Sequence, residues 1–283
     1  MKLHFISGLP RSGSTLLAAI LRQNPRFRAG MSSPLAQIIM QVQRAMSRGQ
    51  EGSIFISDEQ RKRIFHNVIN GYYGTQKPDS VVFDTNRAWC AKLPLIASLY
   101  SEAKVICCVR NVSWIMNSIE KLIRSNPLSL SGIFSYEPGG TVFSRVNGLA
   151  SADGMVGYAM NALREAYGSE FADRLILLDY EALARKPADA IKHIYEFLGE
   201  SLFEHDFEHV DYEAEDFDSA LGTPGLHSVK GRVEWRERDM VLPVELFARF
   251  RDDSFWRDQS NNHRCVPVIM FQPLLREIAS GNN

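Results

Sequence analysis

The feature that most constrains the fold lies near the N-terminus, where an apolar run, a glycine-bounded turn and an amphipathic stretch follow one another. Leu3–Ile6 is apolar, Gly8 and Gly13 bracket a polar turn, and Ser14–Gln23 has helical spacing. This strand–turn–helix order directs backbone N–H groups and the positive end of a helix at one point, where an oxyanion binds. The sequence therefore predicts an α/β fold that binds phosphate or a similar anion.

The turn has the spacing of a Walker A loop but lacks its lysine. Gly8, Gly13 and Thr15 occupy the two glycine positions and the hydroxyl position, whereas Ser14 stands in the lysine position. Because ATP and GTP hydrolases need that lysine and Mg²⁺ to neutralise a triphosphate, a loop with one arginine and several hydroxyls favours a smaller anion. The predicted anion-binding residues are Pro10, Arg11, Ser12, Gly13, Ser14 and Thr15.

Apolar runs alternate with amphipathic stretches along the chain, which is typical of βαβ units. The predicted strands are Leu3–Ile6, Val81–Phe83, Lys104–Val109 and Leu175–Leu178. The predicted helices are Ser14–Gln23, Pro34–Arg48, Asp58–Tyr73, Ala88–Tyr100, Val112–Ser125, Met155–Gly168 and Pro187–Leu198. We expect residues 1–283 to form one three-layer α/β domain with a central parallel sheet. Residues 126–150 are predicted to form a long loop that acts as a lid or substrate-binding loop.

A second basic corner follows another predicted strand. Val105–Val109 is a buried type of strand, Arg110 and Asn111 follow it, and Ser118 comes eight residues after Arg110. Because ligands bind at the carboxyl ends of parallel strands, Arg110 is expected at the same sheet edge as the phosphate loop. Two phosphate corners on one edge indicate a nucleotide that is phosphorylated at two places.

These motifs resemble those of the sulfotransferases that use 3′-phosphoadenosine 5′-phosphosulfate (PAPS). Residues 10–15 look like the family's 5′-phosphosulfate loop, and Arg110 with Ser118 looks like its 3′-phosphate segment. Residues 178–183, with Pro187 and the Phe-Leu-Gly sequence at 197–199, are similar to a third family motif, whose tyrosine contacts the nucleotide. The resemblance implies that Tyr180 has this role, that PAPS is the sulfuryl donor and that no metal is needed.

The chain departs from the family pattern at several positions. Val112 replaces the family's proline, and residues 229–232 are a partial counterpart of a C-terminal basic segment that covers the 3′-phosphate. The resemblance there implies that Lys230 and Arg232 bind the donor. The pattern is nearest to the bacterial and tyrosylprotein branch, yet Met31 occupies the position of the tyrosylprotein enzymes' catalytic glutamate.

Candidates for the catalytic base follow the strand Val81–Phe83 and precede the C-terminal basic segment at 229–232. Asp84 is predicted to face the crevice as the base, and Arg87 to act as a cation on the sulfuryl or acceptor side. His227 is the competing base. Alternatively, Asp84 caps a helix that begins near Ala88 or pairs with Arg87, and a single histidine is often structural.

Charge is unevenly distributed, although the net charge is −1. Residues 1–50 contain seven Lys or Arg and no Asp or Glu, which suits a small anionic ligand. Residues 200–218 contain nine Asp or Glu and no Lys or Arg, and we interpret them as a solvated loop or edge. The overall balance predicts no nucleic-acid partner.

Composition excludes several other classes. No run approaches the roughly eighteen apolar residues of a membrane-spanning helix. The four cysteines form neither a disulfide framework nor a zinc pattern, no metal-ligand cluster is evident and no secretory signal is present, so we expect a cytoplasmic protein.

The resemblance implies a PAPS-dependent O-sulfotransferase that releases 3′,5′-ADP. The acceptor hydroxyl belongs to a peptide tyrosine, a carbohydrate, a lipid or a small phenol. A P-loop kinase of small metabolites and a non-catalytic nucleotide-binding module are the alternatives, and Ser14 argues against the kinase.

Overall fold

Six parallel strands form the centre of the computed structural model, which describes residues 2–77, 79–128, 131–134 and 140–272. The strands are β1 (Lys2–Gly8), β2 (Phe27–Ala29), β3 (Val81–Thr85), β4 (Val105–Val109), β5 (Leu175–Asp179) and β6 (Val268–Ile269). Their order in the sheet is β2-β3-β1-β4-β5-β6. All four predicted strands are present, and the two strands that were not predicted are the short ones at the edges.

Eleven α-helices lie in the described part of the chain, and four of them have the predicted bounds. They are α1 (Ser14–Leu21), α2 (Leu35–Ala45), α3 (Asp58–Tyr73), α4 (Leu93–Leu99), α5 (Val112–Ser125), α6 (Val142–Ala150), α7 (Met155–Gly168), α8 (Tyr180–Arg185), α9 (Pro187–Leu198), α10 (Glu215–Ala220) and α11 (Val244–Arg249). The helix predicted over 88–100 is instead a 3₁₀ turn, Arg87–Lys92, followed by α4. None of the described helices has the length and apolar character needed to cross a membrane.

The sheet is buried on both faces, which makes the fold the predicted three-layer α/β architecture. Along β4, Cys107 packs into one hydrophobic core while Ile106 and Cys108 pack into another. Side chains alternate between the faces of a strand, so two cores require a helical layer on each side. Helices α5 and α7 contribute to the first core, and α1 and α9 to the second.

The predicted loop over 126–150 is wrong in its second part, because residues 142–150 form helix α6. Thr141 caps that helix in a capping box with Ser144, a local signal that favours a helix start. Residues 129–130 and 135–139 of the predicted loop lie outside the described residues. A lid role for this segment stays a prediction.

Parallel pairing brings the carboxyl ends of the central strands to one edge. Gly8 pairs with Cys108, Ile6 with Thr85, and Val109 with Asp179. The phosphate loop therefore begins between the end of β3 and the end of β4. A ligand at this edge lies beside the carboxyl ends of β3, β1 and β4.

Candidate active site

The phosphate loop, residues 8–15, connects β1 to α1 in a conformation that requires its two glycines. Gly8 and Gly13 have φ values of 104° and 93°, in the left-handed region. A Cβ at Gly8 would lie 2.2 Å from the Cys108 carbonyl oxygen, and one at Gly13 would lie 2.9 Å from Cδ2 of Tyr180. The loop can therefore pass this close to β4 and Tyr180 only without side chains at these positions.

The backbone amides of the loop are available to a ligand. The N–H groups of residues 11–15 have no acceptor among the described residues, and Gly13 caps α1 without a side-chain hydrogen bond. Ser12 does not offer its hydroxyl, since that group donates to the carbonyl oxygens of Leu9 and Cys108. Free amides and a helix N-terminus are groups that can bind an oxyanion, and the role of residues 10–15 in binding one stays a prediction.

A cavity of about 540 Å³ opens above the loop. It is lined by most of the loop, by residues 85–87 after β3, by Arg110 and Tyr180, and by residues of the segment 212–238, which we call the covering segment. The Arg11 guanidinium donates through Nε to Ser118 Oγ at 3.2 Å and through Nη1 to the carbonyl oxygen of Leu226. Arg11 thus connects the loop to the covering segment, and Ser118 lies beside Arg11.

A cluster of cations forms the second corner of the cavity. Arg110 is only 5% exposed, its guanidinium lies 4.6 Å from the Tyr180 ring centroid, and its buried Nε has no hydrogen-bond partner. Burial, together with the positive charges of Arg238 and Arg11, lowers the pKa of Arg110 to about 10. An anion at this point would relieve the repulsion and satisfy the free Nε.

Arg238 is a site residue that the sequence interpretation missed. Its Nη2 donates to the Tyr180 hydroxyl at 3.1 Å, and its guanidinium lies 5.8 Å from the Tyr180 ring centroid. It also lines the cavity. The signal in the sequence was the basic run that continues past Arg232 to Arg236 and Arg238, but nothing local shows which of these cations turns inward.

Lys230 and Arg232 line the cavity at its rim, where both are held by carboxylates. Lys230 Nζ lies 2.5 Å from Glu213, and Arg232 Nε lies 3.3 Å from Glu208. Both side chains are more than half exposed. The role of Lys230 and Arg232 at the 3′-phosphate stays a prediction. Arg238, in contrast, donates a hydrogen bond to Tyr180.

The expectation that Asp84 faces the crevice is wrong. Asp84 is fully buried and accepts hydrogen bonds from Ser33 and Trp89, each at 2.6 Å, and from the Tyr73 hydroxyl. Burial raises its pKa, and the three hydrogen bonds act in the opposite direction. Asp84 is therefore a structural carboxylate that ties three elements together.

The two alternatives for Asp84 are also wrong. Asn86, rather than Asp84, caps the 3₁₀ turn by accepting a hydrogen bond from the amide of Ala88 at 3.0 Å. Arg87 forms no ion pair with Asp84 and instead lines the cavity. A ligand in the cavity could therefore contact Arg87 but not Asp84, and the predicted role of Arg87 stays a prediction.

His227 lines the cavity and is held by a buried aspartate that the sequence interpretation missed. His227 Nδ1 lies 2.6 Å from Asp218 Oδ1, and the amide of His227 donates to Asp218 Oδ2 at 2.8 Å. Asp218 is 1% exposed although it belongs to the stretch 200–218 interpreted as solvated. Because Nδ1 donates to the carboxylate, Nε2 is the ring atom that can accept a proton, and it has no partner among the described residues.

The described residues contain no group of three or more His, Cys, Asp or Glu side chains arranged to hold a metal ion. The polar groups that line the cavity are mainly guanidinium groups, amides and hydroxyls. These donors bind oxyanions.

A glycine-bounded loop between β1 and α1, with cations at the same sheet edge, is an arrangement by which many α/β proteins bind phosphorylated ligands. The model of the sulfotransferase family matches residues 4–205, most of the chain. This protein belongs to the sulfotransferase family.

Solved sulfotransferase structures resemble the chain over most of its length. The sulfotransferase domain from the curacin biosynthetic pathway is 16% identical with a TM-score of 0.53, covering 88% of this chain and 95% of that one. The sulfotransferase domain of the Synechococcus PCC 7002 olefin synthase is 17% identical with a TM-score of 0.44, covering 88% and 94%. A sulfotransferase from Alicyclobacillus acidocaldarius is 19% identical with a TM-score of 0.45, covering 78% and 90%. At such identity the curacin-pathway domain shows the shared fold, and no curated protein sequence matches the chain.

Proposed function

We propose that this sulfotransferase moves a sulfuryl group from PAPS to the hydroxyl of an acceptor and releases 3′,5′-ADP. The observation that carries the proposal is the pair of anion sites at one sheet edge. One consists of the free loop amides with Arg11, and the other of Arg110, Arg238 and Tyr180. Two such corners match a nucleotide with phosphate groups at its 5′ and 3′ positions.

The residues present fit the donor. The phosphate loop would hold the 5′-phosphosulfate, because its amides lack acceptors and the N-terminus of α1 favours negative charge. Arg110 and Arg238 would hold the 3′-phosphate, because Arg110 keeps a buried, unpaired Nε and two cations lie at one tyrosine. Charge-assisted hydrogen bonds of this kind are stronger than neutral ones.

When bound, PAPS supplies a sulfuryl group on a phosphate leaving group. The loop amides and Arg11 stabilise the negative charge that develops there, as donors do in phosphoryl transfer. His227 Nε2 accepts the proton of the acceptor hydroxyl, and Asp218 stabilises the imidazolium that results. His227 therefore takes the part of the base, and Asp218 is a positioning residue that keeps the ring in the required tautomer.

The acceptor contributes a hydroxyl, and the branch that the sequence resembles includes enzymes that act on peptide tyrosine. Met31 lines the cavity at the position of their catalytic glutamate, so a base would have to come from elsewhere in the cavity. His227 meets that need from the covering segment.

Calorimetric titration with 3′,5′-ADP, 5′-AMP and Mg²⁺-ATP tests the donor proposal. We expect selective binding of 3′,5′-ADP, and a loss of roughly 10- to 100-fold in its affinity for Arg110→Met, with 5′-AMP little affected. Arg63→Met, on the exposed face of α3, is the matched control for loss of one charge.

Each contrary result has a definite meaning. Equal or tighter binding of Mg²⁺-ATP would contradict the proposal and favour a kinase. Binding of 3′,5′-ADP without sulfuryl transfer from labelled PAPS, over an acceptor screen that includes phenols, alcohols, sugars and tyrosine peptides, would favour a non-catalytic nucleotide-binding module.

A further inference from the structure

The described cavity lining has a large excess of positive charge. It includes seven Lys or Arg side chains and one carboxylate, Glu234, which pairs with Arg236. Lys230 and Arg232 are also paired, with glutamates of their own. Arg11, Arg110 and Arg238 belong to the two proposed donor corners. One cation, Arg87, remains without an assigned anion.

Arg87 lies on the opposite side of the phosphate loop from Arg110. It follows β3, whereas Arg110 follows β4, and β1 lies between these strands. The backbone of Arg87 is anchored there, because Ser7 Oγ donates to its carbonyl oxygen at 3.1 Å. Since the donor corners lie at β1 and β4, the part of the cavity at β3 is left for the acceptor.

The Arg87 guanidinium has no hydrogen bond or ion pair within the part of the chain that the structure describes. The side chain is accessible, but the space it enters is the cavity, and desolvation there lowers its pKa below the ordinary value. A ligand anion that enters the cavity could therefore pair with this guanidinium.

Apolar side chains form part of the surroundings of Arg87, beside the polar groups of Thr85, Asn86 and Tyr158. Met155 lines the cavity from α7, which packs against the 3₁₀ turn that Arg87 begins. Met31 lines it from a segment fixed to β3, because Asn86 donates to the Ser33 carbonyl oxygen and the Ser33 amide donates to Thr85. Ile133 and Leu221 add to the apolar lining. Aliphatic and thioether groups favour a hydrocarbon or aryl body over a sugar.

We propose that the acceptor is a hydroxy acid: an alcohol or phenol with an apolar body and a carboxylate that binds Arg87. One guanidinium matches a monoanion and can hold a carboxylate through two parallel hydrogen bonds. The proposal rests on the proposed function, since it uses the donor corners to identify the acceptor side. It excludes neutral sugars and simple fatty alcohols as preferred acceptors.

The first test measures binding of octanoate and of octanamide, which has the same shape without the charge, to the protein saturated with 3′,5′-ADP. We expect octanoate to bind at least about 10-fold more tightly. In Arg87→Met the ratio should fall to near one, in Arg87→Lys a reduced preference should remain, and in Arg63→Met the ratio should match the wild type. The comparison is repeated without nucleotide, where loss of preference in Arg87→Met is again required.

The second test follows transfer from labelled PAPS to 8-hydroxyoctanoate and to 8-hydroxyoctanamide. The proposal requires that Arg87→Met abolish the preference for the acid chiefly by raising its KM. An equal fall in kcat for both acceptors, with the preference retained, would assign Arg87 to the transferred sulfuryl group and overturn the proposal. A wild-type binding ratio near one would also overturn it. Failure of 3′,5′-ADP to bind would instead contradict the proposed function.

Discussion

Replacement of Asp218 by asparagine tests the proposed base most directly. Both carboxylate oxygens are engaged, one by the His227 ring and the other by the His227 amide. Asparagine has one acceptor oxygen. If that oxygen keeps the backbone bond, its NH₂ group faces Nδ1, and the ring proton moves to Nε2, the atom that must accept the acceptor's proton. The substitution therefore keeps the shape of the site and removes its chemistry.

The expected size of the effect follows from these contacts. A positioned general base contributes about 10²–10⁴ in rate, so kcat should fall by about that factor. In stability, both hydrogen bonds to a charged group become bonds to a neutral group, and the two changes together lower the free energy of unfolding by about 2–3 kcal/mol. A typical domain tolerates such a loss, so the variant remains folded.

The assay is transfer from labelled PAPS at saturating acceptor, with 3′,5′-ADP binding as the measure of an intact donor site. Asp218→Asn is compared in the wild-type and His227→Ala backgrounds, and Asp216→Asn, exposed on the same helix, is the matched control. We expect Asp218→Asn to reduce kcat in the first background only. An equal loss in both backgrounds would refute the claim that Asp218 acts through His227.

Three further predictions concern the loop, the buried carboxylate and pH. Gly13→Ala should weaken 3′,5′-ADP binding about 10-fold or more by calorimetry, because the new Cβ would meet the Tyr180 side chain. Gly49 has a similar φ and nothing within 4 Å, so Gly49→Ala should leave the affinity unchanged. Equal affinities of the two variants would contradict the steric account. Asp84→Asn should lower the free energy of unfolding, measured in urea, by roughly 3 kcal/mol, because three donors bond this carboxylate, and kcat should change little. A stable variant that had lost catalysis would instead identify Asp84 as the base. Burial lowers the pKa of His4 from 6.5 to about 4, so the unfolded chain binds the proton first as pH falls. The free energy of unfolding therefore keeps its full value above pH 6.5 and falls by about 3 kcal/mol between pH 6.5 and pH 4. Urea unfolding of His4→Asn should show no such fall with pH. A fall equal to that of the wild type would exclude His4 as its source.

Local patterns were sufficient to predict much of the fold. Helices α3 and α5 begin and end at the predicted residues, because their apolar spacing and flanking caps agree. The phosphate loop was predictable for the same reason: its glycines, its strand and its helix are contiguous. Arg110 was predictable because it ends a strand whose direction relative to β1 follows from the parallel sheet.

The surroundings of the candidate bases were less predictable, because their hydrogen-bond partners come from distant positions in the sequence. Asp84 turns toward Ser33, Tyr73 and Trp89, and nothing in the local sequence shows that three donors converge there. Asp218 lies in an acidic run, where charge alone predicts exposure, yet the fold buries it under His227. Much of the covering segment lacks regular secondary structure, so its path, and with it the position of Arg238, has no periodic signal.

The contact between Arg11 and Leu226 has a consequence for how the protein is made, since it joins residues 215 positions apart. A ribosome releases the phosphate loop before β2 to β5, and the segment that covers the loop emerges only after β5. Contacts of such long range form late in folding, because the intervening chain must be ordered first. The nascent chain thus holds the phosphate loop without its cover until residues 212–238 have emerged, and the cavity can close only after that.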